Sequence, residues 1–194
     1  PGGRSWRSAI DKRPVDGAVW ARRLGLDGDQ QTNLKVHGGP DRAINLYPYE
    51  HILYWRATPG LEAMSGGAFG ENFTTRGMLE TDTCIGDVFQ VGEALVEVSQ
   101  PRGPCENLNR RWHSRDLMRR ASDSTRIGWY LRVLQEGQVQ AGDTFQRVRQ
   151  PFPQFTIAVV WALNTRGGDP DLLRRLADCP ALSEGWRERF ANKI

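Results

Sequence analysis

Up to about Gln150, apolar and polar residues alternate in short runs separated by glycine-bearing turns, a period that predicts strands rather than helices. Val88–Val91 and Ala94–Ser99 flank Gly92-Glu93 and read as a hairpin. Trp129–Leu134 and Thr144–Val148 are further strands, joined through Glu136-Gly137 and Ala141-Gly142-Asp143. Ala18–Arg23, Leu34–His37 and Ile44–Tyr47 supply others. Many short strands at this spacing predict a barrel or a sandwich. Helices interrupt it over Pro48–Arg56, after the Tyr47-Pro48 break, and once or twice within Glu106–Ala121.

The period changes after "RQPFPQF", Arg149 to Phe155, where two prolines stiffen the chain into a linker. Thr156 can cap a helix over Ile157–Leu163, and Asp169 with Pro170 opens a second over Asp171–Asp178. Ser183 opens a third, in which Leu182, Trp186 and Phe190 recur every four residues. The chain therefore divides into a mainly β unit over residues 1–150 and a three-helix unit over 151–194. The change of period predicts that the tail is separable, with its short helices packing on each other or on the barrel.

A chain of 194 residues suits one large domain, or one domain with a small appendage. Its three cysteines, Cys84, Cys105 and Cys179, lie far apart without CxxC spacing. That argues against a disulfide framework or a zinc site and for a reducing, cytoplasmic compartment. The longest apolar run, Ile157 to Leu163, is too short to span a membrane. No signal-peptide pattern is visible, and a start at Pro1 without Met is expected of a trimmed N-terminus. The net charge of +3 does not by itself imply nucleic-acid binding. Its distribution says more: from Arg102 to Arg126, seven arginines face only Glu106, Asp116 and Asp123. Arginine forks grip phosphate and carboxylate, so an anionic ligand is expected, although genomic base composition explains a chain-wide arginine excess equally well.

The sharpest chemical candidate is Cys105, in "EVSQPRGPCENLNRRW". A strand is cut short by Gln-Pro-Arg-Gly-Pro, and the thiol stands on that corner beside Arg102, before a helical segment. Cation proximity and a helix N-terminus both favour thiolate, which is a nucleophile and a soft metal ligand. Cys84 and Cys179 read as inert small hydrophobes. A cysteine protease needs a histidine base; His51 reads as a surface residue and His113 is only a sequence neighbour, so that class is set aside. A second cluster, "KVHGGPDRAINLYP", holds His37, Gly38, Gly39, Asp41 and Arg42. It is either a plain strand-ending turn or a place where paired glycine amides and Arg42 approach an anion. The third, "GAFGENFTT", sets Glu71 and Asn72 after a flexible Phe-Gly pair. The fourth, "TRIGWYLRV", puts Gly128 and two aromatics at a strand start, where core packing explains the aromatics equally well.

In this order, "RLGLDGDQQTNLKVHGGPDRAINLYP", "GAFGENFTTRGMLETDTCIGDVFQVGEALVEVSQPRGPC" and "GWYLRV" resemble the MOSC domain, named for the C-terminal part of molybdenum cofactor sulfurase. The helical tail is similar to the three-helix extension of the YiiM-like branch. The resemblance runs from about Asp11 to the C-terminus and implies a β-barrel-like fold enclosing a pocket with the cysteine at its edge. It implies binding of the molybdenum cofactor (molybdopterin), Cys105 matching the thiolate that ligates the metal. His37, Gly38, Gly39, Asp41, Arg42, Arg102 and Gly128 would line the cofactor site, with Glu71 and Asn72 at the pocket floor or rim as catalytic candidates. The implied activity is reduction of small N-hydroxylated compounds such as hydroxylaminopurines and amidoximes, a detoxifying reaction. Electrons would come from a separate flavin or iron–sulfur reductase, because the chain has no motif for either group. The alternatives are a sulfur carrier or cofactor-binding module bearing a persulfide on Cys105, and a barrel kept as an interaction protein. No nucleic-acid or membrane partner is expected, and a homodimer is compatible with the sequence. The chain departs from the family pattern just after the cysteine: Glu106 and Asn107 stand where an aromatic and a lysine are common.

Overall fold

Gly92 adopts the left-handed φ of +52° that a two-residue hairpin turn demands. It joins β5 (Val88–Val91) to β6 (Ala94–Pro101) with Val91 opposite Ala94. The computed structural model describes residues 10–29 and 38–194. Around that hairpin, six strands are ordered β4-β3-β7-β6-β5-β9. These are β3 (Ile44–Pro48), β4 (Phe73–Thr75), β7 (Trp129–Gln135) and β9 (Gln146–Arg149) with the hairpin pair. All pairings are antiparallel except β3 with β4. That parallel pair is reached through helix α1 (Tyr49–Arg56) and a long loop, as parallel strands require a crossover. A smaller sheet, β2-β1-β8, uses β1 (Val19–Arg22), β2 (Gly25–Leu26) and β8 (Gly137–Val139). The expected strand at Leu34–His37 lies outside the described residues.

The result is a mixed-sheet half-barrel with six helices among the described residues. Besides α1 these are α2 (Glu106–Arg111), α3 (Leu117–Asp123), α4 (Ile157–Arg166), α5 (Pro170–Ala177) and α6 (Glu184–Ala191). The barrel-like fold with a helical tail expected from the sequence is therefore present. Alternation in β7 turns Trp129, Leu131 and Val133 inward. In the tail, Thr156 Oγ1 accepts from the Val159 amide and Asp169 Oδ1 from the Asp171 amide, the capping that the sequence predicts. No described helix is long and apolar enough to cross a membrane.

Two apolar clusters result. The smaller gathers Tyr47, Ile52, Trp55, Phe69, Leu108 and Leu117, between α1, α2, α3 and the loop before Glu71. The larger joins sheet residues such as Ile44, Val98 and Leu131 with Ile157, Trp161, Leu176, Trp186 and Phe190 of the tail. Backbone bonds cross the same boundary: Ile85 N–H donates to Phe155 O (2.9 Å), Ile157 N–H to Thr83 O (2.8 Å) and Ser183 N–H to Ser99 O (3.1 Å). The proline-rich stretch thus separates two periods of sequence while the helices beyond it pack into the core of the sheet. The packing speaks for a tail that completes the barrel rather than one that can be detached from it.

Candidate active site

The cysteine corner is built by a bulge. Val98 pairs with Leu131 and Gln100 with Tyr130, so Ser99 is an extra residue in β6, and such insertions bend a strand and re-aim the residues beyond them. Ser99 Oγ lies 2.6 Å from Asp41 O and 3.0 Å from Tyr130 O, which holds the bulge against two neighbours. The strand ends at Pro101, and Arg102 N–H donates to Gly128 O at 3.1 Å. Cys105 comes next, in extended conformation at the N-cap of α2, its carbonyl accepting from Leu108 N–H at 3.0 Å.

Cys105 is half-buried, whereas Cys84 and Cys179 are buried. Burial pushes the Cys84 thiol up to about 11, with the Asp87 carboxylate adding to the effect. The Cys179 thiol is also raised by burial. A thiol must ionise and be reached to react, so iodoacetamide at neutral pH should label Cys105 well before the other two. Peptide mass spectrometry of the native protein checks this; equal labelling of Cys84 would contradict the assignment.

Arg102 is only 5% exposed. Its Nη2 donates to Phe69 O at 2.6 Å, and among the described residues its Nη1 has no partner. Phe69 is held in turn by Glu71, whose Oε2 accepts from Phe69 N–H (2.9 Å) while Oε1 accepts from Gly67 N–H (2.7 Å) and Thr74 Oγ1 (2.9 Å). Glu71, 2% exposed, therefore shapes the loop on which Arg102 rests. Asn72 ties three segments: Oδ1 accepts from Asn45 N–H, the backbone N–H donates to Asn45 O, and Nδ2 donates to Asp29. Asp29 also pairs with Lys12.

In the second cluster, Asp41 Oδ1 accepts from Arg132 Nε at 2.8 Å, and Arg132 reaches on to Glu97. Asp41 thus meets the cysteine strand through its carbonyl at Ser99, while its carboxylate is paired with Arg132. Gly39 has φ +96°, a left-handed conformation that favours glycine, and an added Cβ would meet nothing within 4 Å among the described residues. Gly38 and Arg42 are half-buried beside it. His37 lies outside the described residues. Gly128 is the tightest position: at φ +70°, an added Cβ would stand 2.3 Å from Leu46 O. Gly128→Ala should cost about 3 kcal/mol or more, since left-handed strain and overpacking add. Chemical denaturation of the variant checks this.

Several residues of this region carry no sequence signal. Glu80, 3% exposed, accepts from Ile127 N–H (3.0 Å) and Gly128 N–H (2.8 Å) through Oε1, and its Oε2 lies 2.7 Å from His51 Nε2. His51 is buried in this pairing, which corrects its expected surface position: its ring meets the buried carboxylate of Glu80. The arginine cluster also disperses. Arg111 donates to Ile10 O and Gly67 O, Arg119 pairs with Asp116 and Asp123, and Arg120 and Arg126 lie over Trp55 and Tyr54. Of the seven, Arg102 is the one left with a buried donor that no described residue fills.

That idle donor tests whether the molybdenum cofactor suits the site. A buried guanidinium with an unfilled donor is costly unless an acceptor or negative charge compensates it. Among the described residues no carboxylate lies within ion-pairing distance of Arg102, and no group of three or more His, Cys, Asp or Glu side chains is arranged for a metal ion. A buried cation close in sequence to one reachable thiol fits an anionic cofactor that carries its own metal and takes a single protein ligand.

The model of the MOSC domain matches residues 33–146, and that of the YiiM-like 3-alpha helix domain matches 162–194. Protein YiiM of Escherichia coli (strain K12) is 40% identical over 197 residues, covering 96% of this chain and 87% of its own. A protein of Gibberella moniliformis named Reductase is 36% identical over 182 residues, 90% of this chain but 31% of that longer protein. The crystal structure of YiiM from Geobacillus stearothermophilus superposes with a TM-score of 0.85 at 36% identity, covering 95% of this chain and 88% of that one. The chain belongs to the MOSC-domain family, a molybdenum-cofactor-associated fold, and carries the YiiM-like three-helix extension.

Proposed function

We propose that this protein is a molybdenum-cofactor-dependent reductase of small N-hydroxylated compounds, with Cys105 as the protein's thiolate ligand to the metal. The observation that carries the reading is a half-buried thiol on a proline-bounded corner, three positions after a buried arginine with a donor that no described residue fills. The family relationship supplies the cofactor class, and the fungal relative named Reductase supports reductive chemistry. When bound, the cofactor supplies a two-electron centre, so that R–NH–OH, two electrons and two protons give R–NH2 and water. The chain's own part is to hold that centre still. Cys105 offers a soft donor whose backbone is set by Pro101, Pro104 and the Ser99 bulge. Arg102 contributes fixed positive charge that suits a pterin phosphate, and Glu71 keeps Phe69 O in place beneath it. Gly38, Gly39 and Arg42 stand on the neighbouring loop, which Asp41 fastens to the bulge. The electrons come in this proposal from a separate flavin or iron–sulfur reductase, in a cytoplasmic setting that keeps Cys105 reduced.

Metal analysis of protein made in a cofactor-competent host tests the reading. The expected result is molybdenum approaching one atom per chain and, with a reductant, turnover of a hydroxylaminopurine or an amidoxime. Arg102→Ala should lower the molybdenum content while the circular dichroism spectrum stays unchanged. Protein without molybdenum that accepts sulfur on Cys105 from a persulfide donor would replace the reading by a sulfur carrier. Tight duplex binding with a steep salt dependence would instead show that the basic residues serve nucleic acid.

A further inference from the structure

The tail reaches the cysteine corner at two points that the sequence keeps far apart. Ser183 N–H, at the start of α6, donates to the carbonyl of the bulged Ser99 at 3.1 Å. Trp161, in α4, lies beside Gly103: a Cβ built on that glycine would stand 3.8 Å from the ring's Cη2 and 3.9 Å from Cζ3. The ring does not float there. Its Nε1 donates to Ser122 O at 3.0 Å, near the end of α3, and its ring lies tilted against Trp186 at 6.2 Å between centroids. Trp161 is 7% exposed, while Gly103 is exposed. The corner thus passes the rim of an indole, with room for little more than a methyl group between them, and that indole is itself held by Ser122 and Trp186.

We infer that Trp161 is a positioning residue for Cys105, and that the three-helix extension forms the rear wall of the thiol site. The physical reason lies in the corner's own chemistry. Pro104 has no N–H to give, and glycine at 103 leaves the backbone its widest freedom. Arg102 N–H to Gly128 O on one side and Leu108 N–H to Cys105 O on the other tie the ends of the segment. Between those ties, the ring's rim, which stands at van der Waals distance from where a Cβ of residue 103 would lie, limits how far the corner can sink toward the tail. A thiolate that must meet a metal at a fixed bond length needs that limit. The inference concerns the site of the proposed function, but its test needs no cofactor. Absence of molybdenum would therefore sink the proposed function and leave the inference standing.

The test uses the full-length, metal-free chain and the iodoacetamide labelling rate of Cys105 at neutral pH, with Cys84 and Cys179 as internal references. Trp161→Ala should speed Cys105 labelling by at least about threefold through local loosening of the corner, with Cys84 and Cys179 still protected. Trp161→Phe, whose shorter ring lacks the Cη2 and Cζ3 rim nearest Gly103, should give a rate between those of the parent and the Ala variant, because the reach of the ring does the positioning. If Trp161→Ala does not fold, Trp161→Leu in the same assay decides. A Cys105 rate unchanged in the folded Ala or Leu variant overturns the inference. So does a parallel rise at all three cysteines, which would report general loosening instead of positioning.

Discussion

Truncation after Gln150 should leave a chain that does not fold into a stable barrel. The tail places Ile157, Val160, Trp161, Leu163, Leu173, Leu176, Leu182, Trp186 and Phe190 in the apolar cluster that includes the sheet. Full burial of one such side chain contributes about 1.5–3 kcal/mol, against a total stability of about 5–15 kcal/mol for a typical domain. Losing even the subset that covers the sheet consumes that margin. Truncation also removes the partners of Ile85 N–H and of the Glu80, Thr83 and Ser99 carbonyls, which now bond to Phe155, Ala158, Ile157 and Ser183. The expected products are insoluble protein or a collapsed state that binds an apolar dye and melts without cooperativity. A monomeric 1–150 fragment with a sharp thermal transition would show instead that the half-barrel stands alone.

Cys105→Ser should empty the proposed metal site and abolish reduction. Serine's hydroxyl stays protonated near neutral pH and is a hard donor, whereas thiolate is the soft ligand that suits such a metal. Loss of an outer-shell partner alone costs roughly 10–100-fold in metal affinity or activity, so loss of a direct ligand should cost at least that. Because Cys105 is half-buried and stands outside both apolar clusters, the thermal midpoint of the metal-free variant should barely move. Cys84→Ser and Cys179→Ser should do the reverse, lowering stability and sparing metal content, since each puts a hydroxyl into a buried site. Full activity and an unchanged metal spectrum in Cys105→Ser would remove the thiolate ligand from the scheme.

The elements that could be read from the chain are those whose cause is local. The β5–β6 hairpin arises from Gly92 between two alternating runs, and the tail helices from Thr156, Asp169 and Pro170 at their starts. Cys105 stood out because prolines, a glycine and an arginine crowd it within a few positions. The residues that elude such reading act over long separations. Glu80 is 47 positions from Ile127, whose amide it accepts, and 29 from His51, and nothing in the local pattern of any of them marks the meeting. His51 looked exposed because a single histidine in a helix carries no sign of a buried partner. The basic stretch misled in a related way: charge counted along sequence does not show that Arg111, Arg119, Arg120 and Arg126 spend their donors and faces on carbonyls, carboxylates and aromatic rings.

The order of residues was enough to set the period of each segment, the place of its turns and caps, the family, and the thiol on its proline-stiffened corner, because these depend on backbone preferences and on neighbours within a turn or a strand. It took the folded arrangement to bury Arg102 with a donor that no described residue fills, to make Glu71 the builder of the loop it rests on, and to close the core of the sheet with the helical tail. Those outcomes are set by which surfaces meet once apolar faces are buried together, and a polar or charged side chain's role depends on what it then faces.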